Sequence, residues 1–258
     1  MKNITILLMT GVLLGAGALT SCDSVSEPDR FVPAEINPQR AVLIEEFTGQ
    51  RCTNCPDGHR ALQEISASLG DSVIAVGIHA SSLAMPAPRG MKTETGEEYY
   101  KAAGSPALPS AVINMQTSPL QIPQWGSSIN QIIMTPTPYT VKAHTSVNSA
   151  DNTFDIEVAY SAGEDFKGSL LVWVVENDIV ANQLDNGVEI NDYVHNHVFR
   201  ASANGTWGDE VELKAHTPQR TSFKVPIQNT WKMDNVYAVA FLYNESGVKQ
   251  VTSTATGH

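Results

Sequence analysis

The most constraining feature of this chain is a pair of cysteines, Cys52 and Cys55, separated by two residues. An apolar, strand-like run over 41–47 precedes the pair, and a helix-like run over 61–69 follows it. A strand that leads into a CxxC pair at the start of a helix is typical of a redox site. The free amide groups and partial positive charge of a helix N-terminus favour thiolate over thiol and lower the pKa of the first cysteine. We therefore predict that Cys52 is a nucleophile and that Cys55 resolves a mixed disulfide formed at Cys52.

The remaining cysteine, Cys22, stands at the end of a predicted secretory signal. Residues 1–3 give a short basic start, residues 4–19 an apolar core, and residues 19–22 (LTSC) a bacterial lipobox. We predict that residues 1–21 are a signal peptide and that Cys22 is the lipidation site. The alternative is an uncleaved membrane anchor, but its apolar run has about 16 residues, whereas a helical span needs roughly 20.

The chain has 258 residues and is acidic, with a formal net charge of −11. It contains no cluster of Lys or Arg, so nucleic acid and anionic membrane surfaces are not expected as partners. Export implies a compartment that permits disulfides. Closing one short CxxC loop contributes only roughly 2 kcal/mol to stability. The spacing therefore suits chemistry better than reinforcement.

The pattern of the chain changes near residue 135. Residues 22–38 are polar and contain prolines, which predicts a tether. Residues 39–135 carry a strand, a helix and a strand in succession, which predicts a parallel crossover unit. Residues 136–258 alternate like antiparallel strands and show no helical period. We therefore predict an α/β domain followed by an antiparallel, immunoglobulin-like β-sandwich.

Hydrophobic periodicity predicts the individual elements. In the first domain we expect strands over 41–47, 72–79 and 111–115 and helices over 61–69, 95–103 and 122–134. Residues 80–94 read as a loop beside the cysteines. Thr95 is a possible helix cap, and Glu97 and Lys101 have the spacing of an ion pair. In the second domain we expect eight strands, over 139–147, 153–160, 169–176, 193–200, 210–214, 221–227, 236–243 and 248–253.

Two further candidates arise because the first domain resembles thioredoxins. Glu46 stands six residues before Cys52. In thioredoxins an acidic residue at this offset lies beneath the cysteines, so the resemblance implies that Glu46 is a general acid/base. Alternatively, Glu45 or Glu46 points to solvent, since strand alternation turns neighbouring side chains to opposite faces. Leu108-Pro109 resembles the thioredoxin cis-proline, which implies that Pro109 shapes a groove for an extended substrate.

Some residues around the cysteines depart from the thioredoxin pattern. Arg51 replaces the tryptophan that is usual before the first cysteine. Pro56 lacks an amide hydrogen and Gly58 adds flexibility, which predicts an irregular first helical turn.

Histidines raise the alternative of a metal site. The two cysteines could converge with His59 and His79, but copper-delivering members of the thioredoxin superfamily separate their cysteines by three residues rather than two. His195 and His197 would share one face of an extended strand. Such a pair is more often a polar strand face than a metal site. We therefore predict neither a metal nor another cofactor.

The tracts 42–56 (VLIEEFTGQRCTNCP), 173–177 (WVVEN) and 193–200 (YVHNHVFR) together resemble the outer membrane protein 28 family of envelope lipoproteins. The resemblance implies a thioredoxin-like domain joined to a β-sandwich. It also implies a location at the cell outer membrane, anchored by lipid and facing either the periplasm or the surface.

Two functions are compatible with these residues. The first is thiol-disulfide exchange on exported proteins: Cys52 attacks, Cys55 resolves, Glu46 moves protons and Pro109 shapes the substrate groove. The second is a binding or assembly lipoprotein that is not catalytic and keeps its CxxC pair as a structural disulfide. In both, the membrane is reached through Cys22. The oligomeric state is not predicted.

Overall fold

The computed structural model describes residues 39–255. The predicted signal peptide, the tether and Cys22 lie outside this range. The first half of the described chain alternates strands and helices in this order: β1 (Val42–Thr48), α1 (Cys55–Leu69), β2 (Val73–His79), α2 (Glu94–Ala102), β3 (Ser110–Ile113) and α3 (Ile122–Ile133). Strand β1 pairs in parallel with β2 and antiparallel with β3. The predicted parallel crossover unit is confirmed.

Helix α1 starts at Cys55, six residues before the predicted start at residue 61. Apolar residues recur at helical spacing only from residue 61 onward. The prediction of an irregular first turn is wrong, because the helix is continuous from Cys55 to Leu69. Pro56 lies in the first turn, where the missing amide hydrogen removes no helical hydrogen bond. Gly70 follows the last helical residue with a φ of 55°, a conformation that favours glycine.

Helix α2 is capped by Thr93 rather than by Thr95. The Thr93 hydroxyl accepts a hydrogen bond of 2.9 Å from the amide of Gly96. Thr95 matches a capping-box spacing with Glu98, but Glu98 instead accepts a hydrogen bond of 2.7 Å from the Thr206 hydroxyl. Glu97 forms its ion pair with Lys92, at 2.8 Å, and not with Lys101 as predicted.

Replacing Thr93 with alanine should lower the free energy of unfolding by about 1 kcal/mol, because one amide at the start of α2 loses its acceptor. Thr95→Ala is the matched control and should change stability by less than about 0.5 kcal/mol. Urea unfolding followed by circular dichroism measures both. A larger loss for Thr95→Ala than for Thr93→Ala would contradict this assignment of the cap.

Residues 139–253 form ten strands where the sequence predicts eight. They are β4 (Tyr139–Asn148), β5 (Thr153–Ala162), β6 (Phe166–Glu176), β7 (Ile179–Asp185), β8 (Val188–His195), β9 (Val198–Ser202), β10 (Asp209–Leu213), β11 (Gln219–Pro226), β12 (Val236–Asn244) and β13 (Gly247–Ser253). Strand β7 is missing from the prediction. The predicted strand over 193–200 is instead the end of β8, a turn and the start of β9. His197 in this turn has a φ of 57°, so the chain is not extended there.

The strands form three sheets. The largest has the order β13-β12-β6-β9-β2-β1-β3, and β10 also pairs with β6. A second sheet has the order β11-β5-β4, and β7 pairs with β8 in a separate hairpin. Strand β9 is antiparallel to β6 and meets β2 in parallel at Gly77 and Val198. The largest sheet therefore contains strands from both predicted domains, and the boundary at residues 135–136 stays a prediction.

Three apolar cores surround the largest sheet. Helices α1 and α3 pack on one face of β1–β3 around Trp125. Helix α2 packs on the opposite face, in a core that continues to Trp173 and Phe241. The sheet of β4, β5 and β11 packs on β6 and β12 in the third core. Because side chains alternate along β1, Glu46 faces α1 and α3, whereas Glu45 faces α2. None of the helices within residues 39–255 is long and apolar enough to cross a membrane.

Candidate functional site

Cys52 and Cys55 form a disulfide between the end of β1 and the start of α1. Their Cα atoms are 5.4 Å apart. Cys52 keeps 4% of its surface exposed and Cys55 none. The amide of Cys52 donates to the carbonyl of Gly49 at 3.0 Å, which closes a tight turn before the pair. The predicted nucleophile and resolving thiol are therefore together, but both sulfur atoms are shielded from solvent.

The hairpin of β7 and β8 lies against the cysteine loop. Its two strands are joined at Asn186 and Gly187, whose φ angles are 49° and 83°, as a tight hairpin turn requires. The amide of Leu184 donates to the carbonyl of Gln50 at 2.8 Å, and the amide of Asn186 donates to the carbonyl of Thr53 at 3.0 Å. The hairpin thus runs beside the cysteine loop and binds it through the backbone.

Gln183 is the main side chain of the hairpin at the disulfide. It is fully buried, and its Nε2 donates to the carbonyl oxygens of Cys52, at 3.0 Å, and Gly49, at 3.3 Å. At the surface, Arg60 of α1 forms an ion pair of 3.3 Å with Asp185. Sequence reasoning missed Gln183. The Asn-Gly turn predicts a hairpin here, but nothing in the local pattern says where the hairpin packs.

Glu46 is buried beneath the first turn of α1. A Cβ atom placed on Gly58 would lie 2.5 Å from Glu46 Oε1 and 3.2 Å from both Pro109 Cβ and Trp125 Cη2. Gly58 therefore lets Glu46 and Pro109 approach the helix start. Glu46 Oε1 finds no hydrogen-bond partner among residues 39–255, and burial raises the pKa of this carboxyl well above its usual range. Burial therefore favours the protonated form of Glu46, and the alternative that it points to solvent is wrong.

His59 lies between β1 and the hairpin of β7 and β8 and contacts both. Its Nε2 lies 2.9 Å from Thr48 Oγ1 and 3.8 Å from Glu46 Oε1, and its Nδ1 lies 2.8 Å from the hydroxyl of Tyr193 on β8. Burial, followed by repulsion from His195, Arg60 and His197, lowers the pKa of His59 to about 3. The ring is therefore neutral and can both donate and accept a hydrogen bond.

Two further buried histidines lie next to this chain of contacts. The ring centre of His195 is 5.4 Å from that of His79 and 4.9 Å from that of Tyr193. Burial lowers the pKa of His195 to about 4 and that of His79 well below its usual value. Neither ring makes a hydrogen bond of ordinary geometry in the described part of the chain. Burial therefore favours the neutral form of every side chain in the cluster of Glu46, His59, His79, Tyr193 and His195.

His197 does not share a face with His195, contrary to the prediction for an extended strand. It lies in the turn between β8 and β9, and its Nδ1 is 3.1 Å from the hydroxyl of Tyr237. Over residues 39–255, no group of three or more His, Cys, Asp or Glu side chains has an arrangement that could hold a metal ion.

The Leu108–Pro109 peptide bond is cis, as the resemblance to thioredoxins implies. The predicted loop over 80–94 lies beside the cysteine turn, where the carbonyl of Leu83 accepts a hydrogen bond of 2.8 Å from the amide of Arg51. An open cleft of about 1050 Å³ separates this loop from the hairpin and is lined by Arg51, Arg89, Glu189 and several apolar side chains. The cysteine loop is therefore bordered by two segments distant in sequence.

Known structures share the fold of this chain. HBP35 of Porphyromonas gingivalis is similar with a TM-score of 0.70 and 15% identity, over 86% of this chain and 79% of that one. Protein AGR_C_4864 from Agrobacterium tumefaciens is similar with a TM-score of 0.51 and 16% identity, over 85% of this chain and 99% of that one. At these identities, the likeness concerns the fold alone.

A domain of the outer membrane lipoprotein Omp28 from Porphyromonas gingivalis also aligns, with 18% identity and a TM-score of 0.31, over 45% of this chain and 86% of that domain. Among curated proteins there is no significant match. The family model described as outer membrane protein Omp28 matches residues 95–258, which is more than half of the sequence. The chain therefore belongs to the Omp28 family of outer membrane proteins.

Proposed function

We propose that this outer membrane protein is anchored by lipid at Cys22 and exchanges disulfides with exported proteins through Cys52 and Cys55. The observation that carries the proposal is the position of the Glu46 carboxyl, buried against the first turn of the helix that begins at the second cysteine. A buried carboxyl with one oxygen lacking a hydrogen bond costs stability, so a role in proton transfer gives it a physical reason. The order of β1, α1, β2, α2 and β3 and the position of Pro109 support a thioredoxin-like assignment of residues 39–135. The sheets that follow support a β-sandwich over 136–258.

In the oxidising direction, a client thiolate attacks Cys52 Sγ and the bond between Cys52 and Cys55 breaks. Cys55 leaves as a thiolate, and the carboxyl of Glu46 supplies the proton that neutralises it. A second client thiolate then attacks the client sulfur of the mixed disulfide, so the client is oxidised and Cys52 leaves reduced. The reverse sequence reduces a client disulfide, with Glu46 as the base that accepts the proton of Cys55.

The hairpin determines when this chemistry is possible. Because Cys52 is buried and β7 and β8 are bound to the cysteine loop by hydrogen bonds, we propose that the hairpin moves before a client reaches the sulfur. Displacement frees the carbonyl groups of Gln50 and Thr53, which can then accept hydrogen bonds from an extended client segment. In this proposal Pro109, whose side chain lies beside Gly58 in the first turn of α1, helps to shape the groove for the client.

The position of the hairpin against the cysteine loop also favours a second candidate function. If the hairpin stays closed, the disulfide holds the turn between β1 and α1 and takes no part in exchange. The protein would then act as a binding or assembly lipoprotein, with the open cleft beside Arg51 as its contact surface.

Exchange with a disulfide-bonded peptide distinguishes the two functions. Reduced protein should convert the peptide to its dithiol form, Cys52→Ser should abolish the reaction, and Cys55→Ser should accumulate a mixed disulfide through Cys52. Alkylation of Cys52 across pH should give a thiol pKa below the ordinary value of about 8.5, because the start of α1 stabilises the thiolate.

The double variant Cys52→Ser/Cys55→Ser is the control for a structural role. Exchange by the reduced protein that is no faster than by a short cysteine peptide, together with a normal thiol pKa, would exclude the redox function. If the double variant then remains folded and keeps the binding properties of the parent, the second candidate is supported.

A further inference from the structure

A second buried carboxyl, Glu45, lies on the opposite face of β1 from Glu46. Glu45 is 4% exposed and stands opposite Val112 of β3. Its Oε1 is buried without a hydrogen-bond partner in the described range. Buried polar atoms are usually paired, so an unpaired carboxyl oxygen requires an explanation. The redox chemistry proposed above does not use this group.

Glu45 forms part of the wall of a pocket of about 380 Å³ on the α2 side of the sheet. The pocket also includes Tyr99 and Ala102 from α2, Val112 from β3, and Trp207. Its volume lies within the range of small-molecule sites, which combine apolar walls with a few polar groups. The lining also includes the polar side chains of Gln116, Thr117 and Ser118, and Glu45 is the one carboxyl among the described residues that line the pocket.

Trp207 stands at the rim of this pocket, where its side chain is 46% exposed. The backbone around it is fixed: the Tyr99 hydroxyl donates to the carbonyl of Thr206, and the Tyr243 hydroxyl donates to the carbonyl of Trp207, both at 2.5 Å. The ring centres of Trp207 and Tyr99 are 5.3 Å apart. A large aromatic side chain is therefore held in place while much of its surface faces solvent.

We infer that this pocket binds a small organic ammonium ion, with the charged nitrogen at Glu45 and the apolar body between α2 and Trp207. An ammonium group supplies an N–H donor to the carboxyl of Glu45, which lines the pocket, and favours its ionisation. The faces of Trp207 and Tyr99 attract a cation. An anionic ligand is disfavoured because the overall charge of −11 repels it. A neutral alcohol of the same size makes the hydrogen bond but gains no charge attraction.

Calorimetric titration with n-butylammonium tests the inference, with n-butanol as the neutral ligand of similar shape. We expect saturable binding at one site for n-butylammonium and binding about tenfold weaker or less for n-butanol. Glu45→Gln should reduce the affinity for n-butylammonium by about tenfold. The control Glu94→Gln removes an exposed carboxylate from α2 and tests whether cations are attracted to the acidic surface in general. It should leave the affinity unchanged, because Glu94 does not line the pocket.

A second readout uses the parent protein, so the inference stays testable if Glu45→Gln does not fold. The indole N–H signal of Trp207 is identified in a nuclear magnetic resonance spectrum by its loss in Trp207→Phe. It should shift on addition of n-butylammonium and not on addition of n-butanol at the same concentration. Equal effects of the two ligands, equal affinity of a folded Glu45→Gln variant, or a linear response without saturation would overturn the assignment. Because no cysteine is involved, its failure leaves the proposed redox function untouched.

Discussion

Gln183→Ala should accelerate reduction of the Cys52–Cys55 disulfide by dithiothreitol by about ten- to a hundredfold, since losing both side-chain hydrogen bonds to the cysteine loop costs about 2 kcal/mol. If the hairpin controls access as proposed, a reductant reaches Cys52 in the parent protein only in the fraction of molecules whose hairpin is open. Weakening the closed state increases that fraction and hence the rate. Stopped-flow mixing with dithiothreitol, followed by acid quenching and alkylation, measures the rate.

Val180→Ala is the matched control on the same strand. Val180 is 57% exposed, so its truncation should leave the reduction rate nearly unchanged. Low urea concentrations separate local from global opening, because a local movement exposes little surface and responds weakly to denaturant. A reduction rate that rises with urea as steeply as global unfolding would show that the hairpin does not open on its own. An unchanged rate in Gln183→Ala would show that it does not limit access.

The free energy of unfolding of the oxidised protein should be highest near pH 6.5 and fall on both sides. On the acid side, the buried histidines are responsible. The pKa values of His59 and His195 are lowered from 6.5 to about 3 and about 4, and that of His79 is also lowered. Below pH 6.5 the unfolded chain binds protons at these rings and the folded protein does not, so stability falls as the pH falls.

On the alkaline side, Glu45 and Glu46 are responsible. Burial raises the pKa of Glu45 from 4.5 to about 8 and raises that of Glu46 as well. Above pH 4.5 the unfolded chain releases these protons while the folded protein keeps them, so each carboxyl lowers stability as the pH rises. Between pH 4.5 and 6.5 the histidines oppose this trend. Above pH 6.5 the carboxyls act alone, and each lowers stability by about 1.4 kcal/mol per pH unit.

Urea unfolding at pH 5, 6.5 and 8 measures this curve at fixed ionic strength. Glu46→Gln should flatten the alkaline side, because the neutral amide does not titrate. The exposed residue Glu189, on the hairpin, provides the control Glu189→Gln, whose curve should match that of the parent. Stability that rises steadily up to pH 8 would contradict the raised pKa values of the two carboxyls.

Local patterns were sufficient to predict the part of the site formed by β1, the cysteine pair, α1 and β2. The run into Cys52 and the strand after α1 are continuous apolar runs, and the helix between them has a clear period, so their order alone implies a parallel crossover unit. Alternation along β1 predicts that one of Glu45 and Glu46 is buried and the other exposed. Both are buried, because helices cover both faces of β1. Alternation distinguishes the two faces of a strand but does not reveal how each face is covered.

The second part of the site depends on contacts between distant residues. The alternation of Tyr193, His195 and His197 predicts one continuous strand, yet the amide of His197 donates to Asn177 Oδ1 at 2.7 Å and the chain turns there. Strand β7 is polar enough to be read as a loop, and the burial of Gln183 becomes understandable only with the cysteine loop beside it. The roles of Gln183, Tyr193 and His195 therefore could not be predicted from local sequence.

The hairpin turn and the cysteine loop are joined by a hydrogen bond of 2.7 Å from the amide of Gly187 to Thr53 Oγ1, between residues 134 positions apart. We expect such a distant contact to close late in folding, because a long loop must be ordered first. If the chain is exported as proposed, Cys52 and Cys55 would then meet the oxidants of the envelope before the second half of the chain packs on the cysteine loop. In that case the initial redox state of the pair depends on how fast oxidation is relative to closure of this contact.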